Sequence, residues 1–322
     1  VNKTYRVGSR GSALAMHQTR QIIQAMEARN PQARFEVVEI ATTGDQFPDT
    51  PISQMGDVVD RGIFNTALVQ AVLAGRVDMA TCSFKDVESD LPKGLEATTV
   101  LPREDVRDVL ASRHRTGLAG LPQGAVLATS SPRRVSQLLA YRPDLKFQPL
   151  RGNITTRVTR DVERFDGVVL AAAGVARLSL QQNVTEWISE DILLPAAAQG
   201  ALGCEYLADN LDAAKLVASI THPETELCAK AEKSFLVDMS GGCYAPIGIW
   251  AQALAGRLSM RCRIVSLDGR RKVEERAEGS VSDPAQVVRE LAAKARAKGG
   301  AEIVRETREA ILDNRPMAPG KK

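Results

Sequence analysis

At 322 residues the chain is long enough for about two or three domains, each with its own core. A composition of 44% apolar and 25% charged residues excludes wholesale disorder and any fibrous or low-complexity protein. The net charge of +3, with basic residues interleaved among acids and only 4% aromatics, argues against a nucleic-acid surface and leaves the placement of the arginines as the informative feature.

No apolar run approaches the roughly 20 residues that cross a bilayer, so no membrane partner is expected and the protein is read as soluble. Cys82, Cys204, Cys228, Cys243 and Cys262 are odd in number and scattered, without a C-x-x-C pair, which fits a reducing compartment. His17, His114 and His222 lie far apart, and no metal site is expected. The chain begins at Val1 rather than a methionine, which leaves room for a removed leader.

Tyr5 to Gly8 reads as a strand, Ser9-Arg10-Gly11-Ser12 as a tight loop, and Ala13 to Ala28 as a helix capped by Ser12 with Leu14, Ile22, Ile23 and Met26 on one face. Strand, loop, helix opens an α/β domain. A strand at Phe35 to Ile40 precedes a polar stretch with Pro48, Pro51 and Gly56 that has no clear period and is expected to form a lid. A helix over Ile63 to Ala74 stops at Gly75, and the strand Val77 to Cys82 delivers Ser83-Phe84-Lys85-Asp86 at its carboxyl end, where open parallel sheets bind ligands.

The charged segment Arg103 to Asp108 reads equally as a crossing between domains or a solvated surface. A second α/β series follows. Its strand Ala125 to Ala128 ends in Thr129-Ser130-Ser131-Pro132-Arg133-Arg134, with Ser131 placed to cap a helix and Pro132 at its first position. Leu145 to Leu150 runs into Arg151 and on to Arg157, and Val168 to Ala171 leads to Arg177. Ala201 to Leu207 is read as a further strand and Thr225 to Val237 as a helix. Strands at Ile247 to Leu254, Leu258 to Leu267 and Lys272 to Ala277, then helices over Pro284 to Lys298 and Ala301 to Leu312, complete a small α+β domain.

Successive strands thus finish in arginine or lysine. Each guanidinium can make a two-point bond to a carboxylate, and free helix N–H groups add positive potential, so the pattern describes a cleft for a polyanion. Asp86, an aspartate among basic groups, is the carboxylate best suited to stabilise a developing cation; a surface ion pair is the bland alternative. In Ser240-Gly241-Gly242-Cys243-Tyr244-Ala245-Pro246, two glycines remove bulk before a thiol and Pro246 stops a helix behind it. Such a loop can carry an attached group, although a cysteine is more often a small buried hydrophobe.

These segments together resemble the porphobilinogen deaminase (hydroxymethylbilane synthase) family: Val7-Gly8-Ser9-Arg10-Gly11-Ser12, Ser83-Phe84-Lys85-Asp86, Arg103-Glu104-Asp105, Thr129 to Arg134, Leu150-Arg151-Gly152-Asn153, Leu194-Pro195 with Gln199-Gly200, and Gly241-Gly242-Cys243, in family order over almost the whole chain. The resemblance implies an α/β fold of two lobes like those of a periplasmic binding protein plus a small α+β C-terminal domain. Domain 1 would comprise residues 1–101 and 200–219, domain 2 residues 102–199 and domain 3 residues 220–322. It implies a dipyrromethane cofactor held by a thioether at Cys243, with Ser83, Lys85, Thr129, Ser130, Ser131, Arg133 and Arg134 facing it. Arg10, Ser12, Arg151, Arg157, Arg177 and Gln199 would serve the substrate porphobilinogen and the growing chain, and Asp86 would assist loss of ammonia. Four substrates would be joined into hydroxymethylbilane, on the route to haem and chlorophyll. A monomer in the cytoplasm is expected, or in the chloroplast stroma if a transit peptide has been removed.

Many family members carry His-Ser before the Lys-Asp pair, a Gly-Lys-Gly-Leu-Phe segment and acidic residues in the next helix. This chain has Cys82-Ser83, Asp60-Arg61-Gly62-Ile63-Phe64 and Ala67-Leu68-Val69, which bears on loop motion and rate more than on the reaction. The alternatives are a two-lobed anion-binding protein, which would not need Cys243 on a glycine loop or a third domain, and an inactive homologue, for which the altered lid is the only support.

Overall fold

Strand β1 (Thr4–Ser9) lies parallel to both β2 (Arg34–Glu39) and β3 (Met79–Ser83), and its fully buried Val7 pairs with Val37 and Met79. Helix α1 (Ala13–Arg29) starts where the Ser12 hydroxyl accepts the Ala15 N–H at 3.3 Å, and Ile22 and Met26, four residues apart, are sealed against the sheet. The computed structural model describes residues 3–42, 65–88, 90–150, 152–242 and 245–312. The expected lid, with Pro48, Pro51, Gly56 and Arg61, lies outside the described residues, as do Ile63 and Phe64 at the start of the helix read from Ile63. That helix is described as α2 (Thr66–Leu73).

The first lobe is completed by β4 (Leu95–Val100) and by β10 (Leu202–Leu207), in the sheet order β2-β1-β3-β10-β4. The second lobe holds β5 (Asp108–Ala111), β6 (Val126–Ala128), α3 (Pro132–Tyr141), β7 (Lys146–Gln148), α4 (Ile154–Thr159), β8 (Gly167–Ala171), α5 (Ala172–Arg177) and β9 (Glu186–Ile188), in the order β7-β6-β8-β5-β9. In each sheet the fourth strand is antiparallel to both neighbours, and each is the strand the chain forms directly after crossing from the other lobe. The charged segment Arg103 to Asp108 is therefore a crossing. Its last residue opens β5, a strand the sequence reading did not include, like β9.

Helix α6 (Leu211–Ser219) covers the first lobe, packing Ala213, Leu216 and Val217 against Val7, Met26 and Tyr206. The C-terminal domain begins with α7 (Pro223–Asp238) and continues as an antiparallel meander of β11 (Ile247–Leu254), β12 (Arg257–Val265) and β13 (Lys272–Ser280), backed by α8 (Pro284–Ala297) and α9 (Gly300–Leu312). Phe235, Leu258, Met260, Ile264 and Leu291 fill its core. The fold is thus α/β, with two sheet-and-helix lobes and a small α+β C-terminal domain. Among the described residues no helix is long and apolar enough to cross a membrane.

The three parts meet at the two crossings. Gly200 has φ +90°, and a Cβ there would lie 2.5 Å from the Glu104 carbonyl, so only glycine lets the crossings touch. Beside them the Arg103 guanidinium donates to both oxygens of Glu232 on α7, at 2.7 and 2.9 Å, and through Nε to the Gln199 carbonyl at 2.8 Å. Glu232 is fully buried and also accepts the backbone N–H groups of Ala198 and Ala251, at 2.6 and 2.8 Å. Its replacement by alanine strands the Arg103 charge and two amide donors in the interior. We predict that Glu232→Ala lowers the unfolding free energy by ~3–5 kcal/mol in a urea titration; a loss below about 1 kcal/mol would contradict this account of the junction.

Candidate functional site

The ligand end of the first lobe is built where β1 and β3 finish side by side. Beyond β1 come Arg10 and Ser12; beyond β3 the chain makes one 3-10 turn, Phe84–Asp86, anchored by the Phe84 N–H on the Ala201 carbonyl at 3.0 Å. Gln18 on α1 donates from Nε2 to the Ser83 hydroxyl at 3.0 Å, tying the helix to the end of β3. From the second lobe come α4 and α5, the latter carrying Arg177.

Two cavities meet at this turn. The first, about 240 Å³, lies between the lobes and is bordered by Arg10, Ser12, Gln18, Ser83, Lys85, Asp86 and Arg177. The second, about 210 Å³, lies between both lobes and the C-terminal domain and is bordered by Lys85, Asp86, Ser131, Arg133, Arg134, Gln199, Lys233 and Gly242. Lys85 and Asp86 border both. Cys243 and Arg151 lie outside the described residues, but Gly242, the neighbour of Cys243 in the chain, borders the second cavity.

The arginine pair on the first turn of α3 is held from below. Asp108 accepts Arg133 Nη1 at 2.6 Å, and Arg134 Nε and Nη2 at 3.0 and 2.6 Å. Burial alone would push the Asp108 carboxyl up, yet the two guanidiniums reverse the effect and bring it down to about 2. Asp108 thus balances one of the two charges, and Arg133 Nε is left without a partner among the described residues. Gln199 supports the same carboxylate through Nε2 at 3.2 Å and the Val106 carbonyl at 2.8 Å. Ser131 precedes the helix in extended backbone with Pro132 at the first helical position, as read from the sequence, but its hydroxyl makes no capping bond.

Burial lowers the Lys85 ammonium from its usual range, with Asp86 opposing the shift and Arg134 adding to it. Burial likewise brings Arg177 down to about 10, partly offset by Glu104, so it stays charged at neutral pH; its Nη2 donates to the Gly200 carbonyl at 2.8 Å. Thr129, Ser130 and Arg157 border neither cavity. Thr129 accepts the Ser131 N–H at 3.3 Å, while the Ser130 hydroxyl exchanges two bonds with the backbone of Leu150, at 3.0 and 3.1 Å, one residue before Arg151 in the chain. Ser83 borders the first cavity alone and Gln199 the second alone, so geometry divides these two differently from the cofactor and substrate groups expected of them. Sequence reading missed Gln18, Asp108 and Lys233. Of these only Asp108 carried a signal, an acid at the end of a charged segment just before an apolar run.

The cavities suit a ligand with several carboxylates. Cationic and hydroxyl donors outnumber acids on both linings, and Asp86 is the one acid bordering either cavity among the described residues. The donor set, with the orphaned Arg133 Nε, fits a carboxylate-bearing group held beside Gly242. Among the described residues no cluster of histidine, cysteine and carboxylate could hold a metal ion. Fold and site therefore define a two-lobed α/β protein whose polyanion cleft is centred on a single aspartate.

The comparisons narrow this class. Residues 5–215 match the family described as porphobilinogen deaminase, dipyromethane cofactor binding domain, and residues 226–297 match its C-terminal domain. Relatives named porphobilinogen deaminase include one from Syntrophomonas wolfei, 40% identical over 95% of this chain and 99% of its own. Another, from Moorella thermoacetica, is 41% identical over 94% and 96%. Among solved structures, a nutrient binding protein from Burkholderia cenocepacia bound to methionine superposes with a TM-score of 0.42 at 15% identity, covering 69% of this chain and 93% of that one. The chain belongs to the porphobilinogen deaminase family, transferases of tetrapyrrole biosynthesis that use a dipyrromethane cofactor.

Asn65, on the lining of the first cavity, holds a further buried acid. Glu205 on β10 accepts Asn65 Nδ2 at 2.6 Å, while Glu205 Oε2 and Asn65 Oδ1 have no partner among the described residues. Burial raises its pKa to about 7, with the Asn65 bond opposing. A carboxyl that binds its proton more tightly when folded stabilises the fold fully below its ordinary value of 4.5, and that contribution is lost as pH rises through 7. We predict that the unfolding free energy falls by up to ~3 kcal/mol more in the parent than in Glu205→Gln between about pH 5 and pH 8. Parallel pH profiles of the two proteins would refute the assignment.

Proposed function

We propose that this chain is a hydroxymethylbilane synthase that deaminates porphobilinogen and joins four molecules head to tail, with a dipyrromethane primer held as a thioether at Cys243. The observation that carries this reading is that Asp86 borders both cavities, so one carboxylate can serve a substrate on one side and a primer on the other. When bound, the dipyrromethane supplies the free pyrrole carbon to which the first substrate unit is joined. Lys85, Ser131, Arg133 and Arg134 would hold its carboxylates, with Ser83, Thr129 and Ser130 shaping the surrounding loops.

Porphobilinogen brings an acetate, a propionate and an aminomethyl group. Arg10, Ser12 and Arg177 would bind its carboxylates in the first cavity, with Arg151, Arg157 and Gln199 serving the lengthening chain. The Asp86 carboxylate accepts the pyrrole N–H and stabilises the positive charge that spreads over the ring as the C–N bond breaks and ammonia leaves. Each joined unit adds two carboxylates, which the cationic excess of the cleft offsets.

The four described cysteines support Cys243 as the anchor, because all are buried and burial pushes their thiols up, to about 11 for Cys228 and about 12 for Cys262. We take domain 1 as residues 1–101 with 200–219, domain 2 as 102–199 and domain 3 as 220–322. The chain would act as a monomer, in the cytoplasm or, if a transit peptide has been removed, in the chloroplast stroma.

Intact mass of the denatured protein tests the anchor. The parent is expected to carry the added mass of two joined pyrrole units and Cys243→Ser the bare chain; a bare parent after incubation with porphobilinogen would sink the reading. Asp86→Ala is expected to keep the added mass while kcat falls at least ~100-fold, and unchanged turnover would remove Asp86 from its role.

A further inference from the structure

Lys233 lies one residue beyond Glu232 on α7, in the C-terminal domain, yet its Nζ reaches the first lobe. It donates to the Lys85 carbonyl at 2.9 Å and to the Val87 carbonyl at 2.6 Å, the residues on either side of Asp86. The side chains of Phe84 and Val87 are buried at either end of the 3-10 turn, the Phe84 N–H is bonded to Ala201, and the Val87 N–H closes the turn on the Phe84 carbonyl at 3.2 Å; Lys233 adds a hold on the carbonyls that flank Asp86. An ammonium has three donors and no acceptor, so two carbonyls facing one Nζ are drawn together and the peptide between them is held. Lys233 itself is half-buried on the lining of the second cavity, which Asp86 and Gly242 also border. Five residues beyond it α7 ends and the chain enters the loop to Cys243.

We infer that Lys233 is a positioning residue for Asp86, through which the domain bearing the cysteine loop sets the carboxylate between the two cavities. The inference rests on the proposed role of Asp86 in catalysis. Lys233 acts on the backbone that carries the carboxylate, so its loss should weaken turnover while leaving the substrate-binding arginines in place. Displacing a reacting group by about 1 Å can cost on the order of 100-fold in rate.

The test uses the cofactor-loaded full chain. Lys233→Met keeps the length and removes the donors; its kcat is expected to fall ~10–100-fold with KM within about threefold, while intact mass shows the cofactor retained. Lys233→Arg, which restores two-carbonyl donation, is expected to recover turnover to within about fivefold. In the Asp86→Asn background Lys233→Met should cost little more, since the two residues act as one unit. Amide hydrogen exchange adds a readout independent of activity: residues 84–88 should exchange about tenfold faster in Lys233→Met, with β10 unchanged.

An unaltered kcat, a loss confined to KM, failure to load the cofactor, or equal losses with and without Asp86 would each overturn the inference. If Lys233→Met does not fold, Lys233→Gln, which removes the charge and leaves a shorter side chain with a neutral amide, enters the same cycle and is read by the same criteria. Failure of the underlying reading has a separate signature, full activity in Asp86→Asn itself.

Discussion

One buried carboxylate, that of Glu232, determines how the three parts of this molecule are joined. Removing a carboxylate from water costs several kcal/mol, and the cost is offset only when its lone pairs are met by good donors. Here the donors come from different places: a guanidinium on the outgoing crossing, an amide on the returning one and an amide of β11. Arg103 and Ala198, two of its partners, lie on the crossings that link the lobes on either side of the two cavities.

The same economy governs the charges around the site. Two adjacent arginines on one helical turn repel, and without a counter-charge the first turn of α3 would be strained by them. Asp108 relieves this from below by balancing one charge, leaving a net positive face toward the second cavity. Lys85 and Arg177 are buried enough for their ammonium and guanidinium to be disfavoured, so an anionic ligand stabilises them as much as they stabilise it. Family membership and site electrostatics agree on the kind of molecule the cleft takes, one rich in carboxylates.

Local chemistry was the part legible in the sequence. Ser12 caps α1, β11 runs from Ile247 to Leu254 as read from the sequence, and Arg10, Arg133, Arg134 and Arg177 border the two cavities that meet at Asp86. What stayed hidden depends on contacts between distant segments. Strand β5 is four residues long and opens with an aspartate, a residue disfavoured in strands, and only its place between β8 and β9 makes it one. Lys233 reads as an ordinary surface lysine on an amphipathic helix, because nothing local says that residues 85 and 87 lie at its tip. The Ser131 hydroxyl was expected to cap α3, but the extended backbone and Pro132 open that helix without it.

The exchange of strands between the lobes also bears on the order in which the chain can fold as it is made. All five strands of the second sheet fall between Asp108 and Ile188, so that lobe has its complete sheet in one continuous stretch. The first sheet does not: β10 is the strand that joins β3 to β4, and it is synthesised after the whole of the second lobe. Until Leu207 has emerged, β4 has no neighbour to hold it and the lobe stays open at that edge, an exposure that invites mispairing. The half that begins the chain is thus the later of the two to close, and the ribosome must deliver the cavity-lining arginines of the second lobe before the turn bearing Asp86 has its final support.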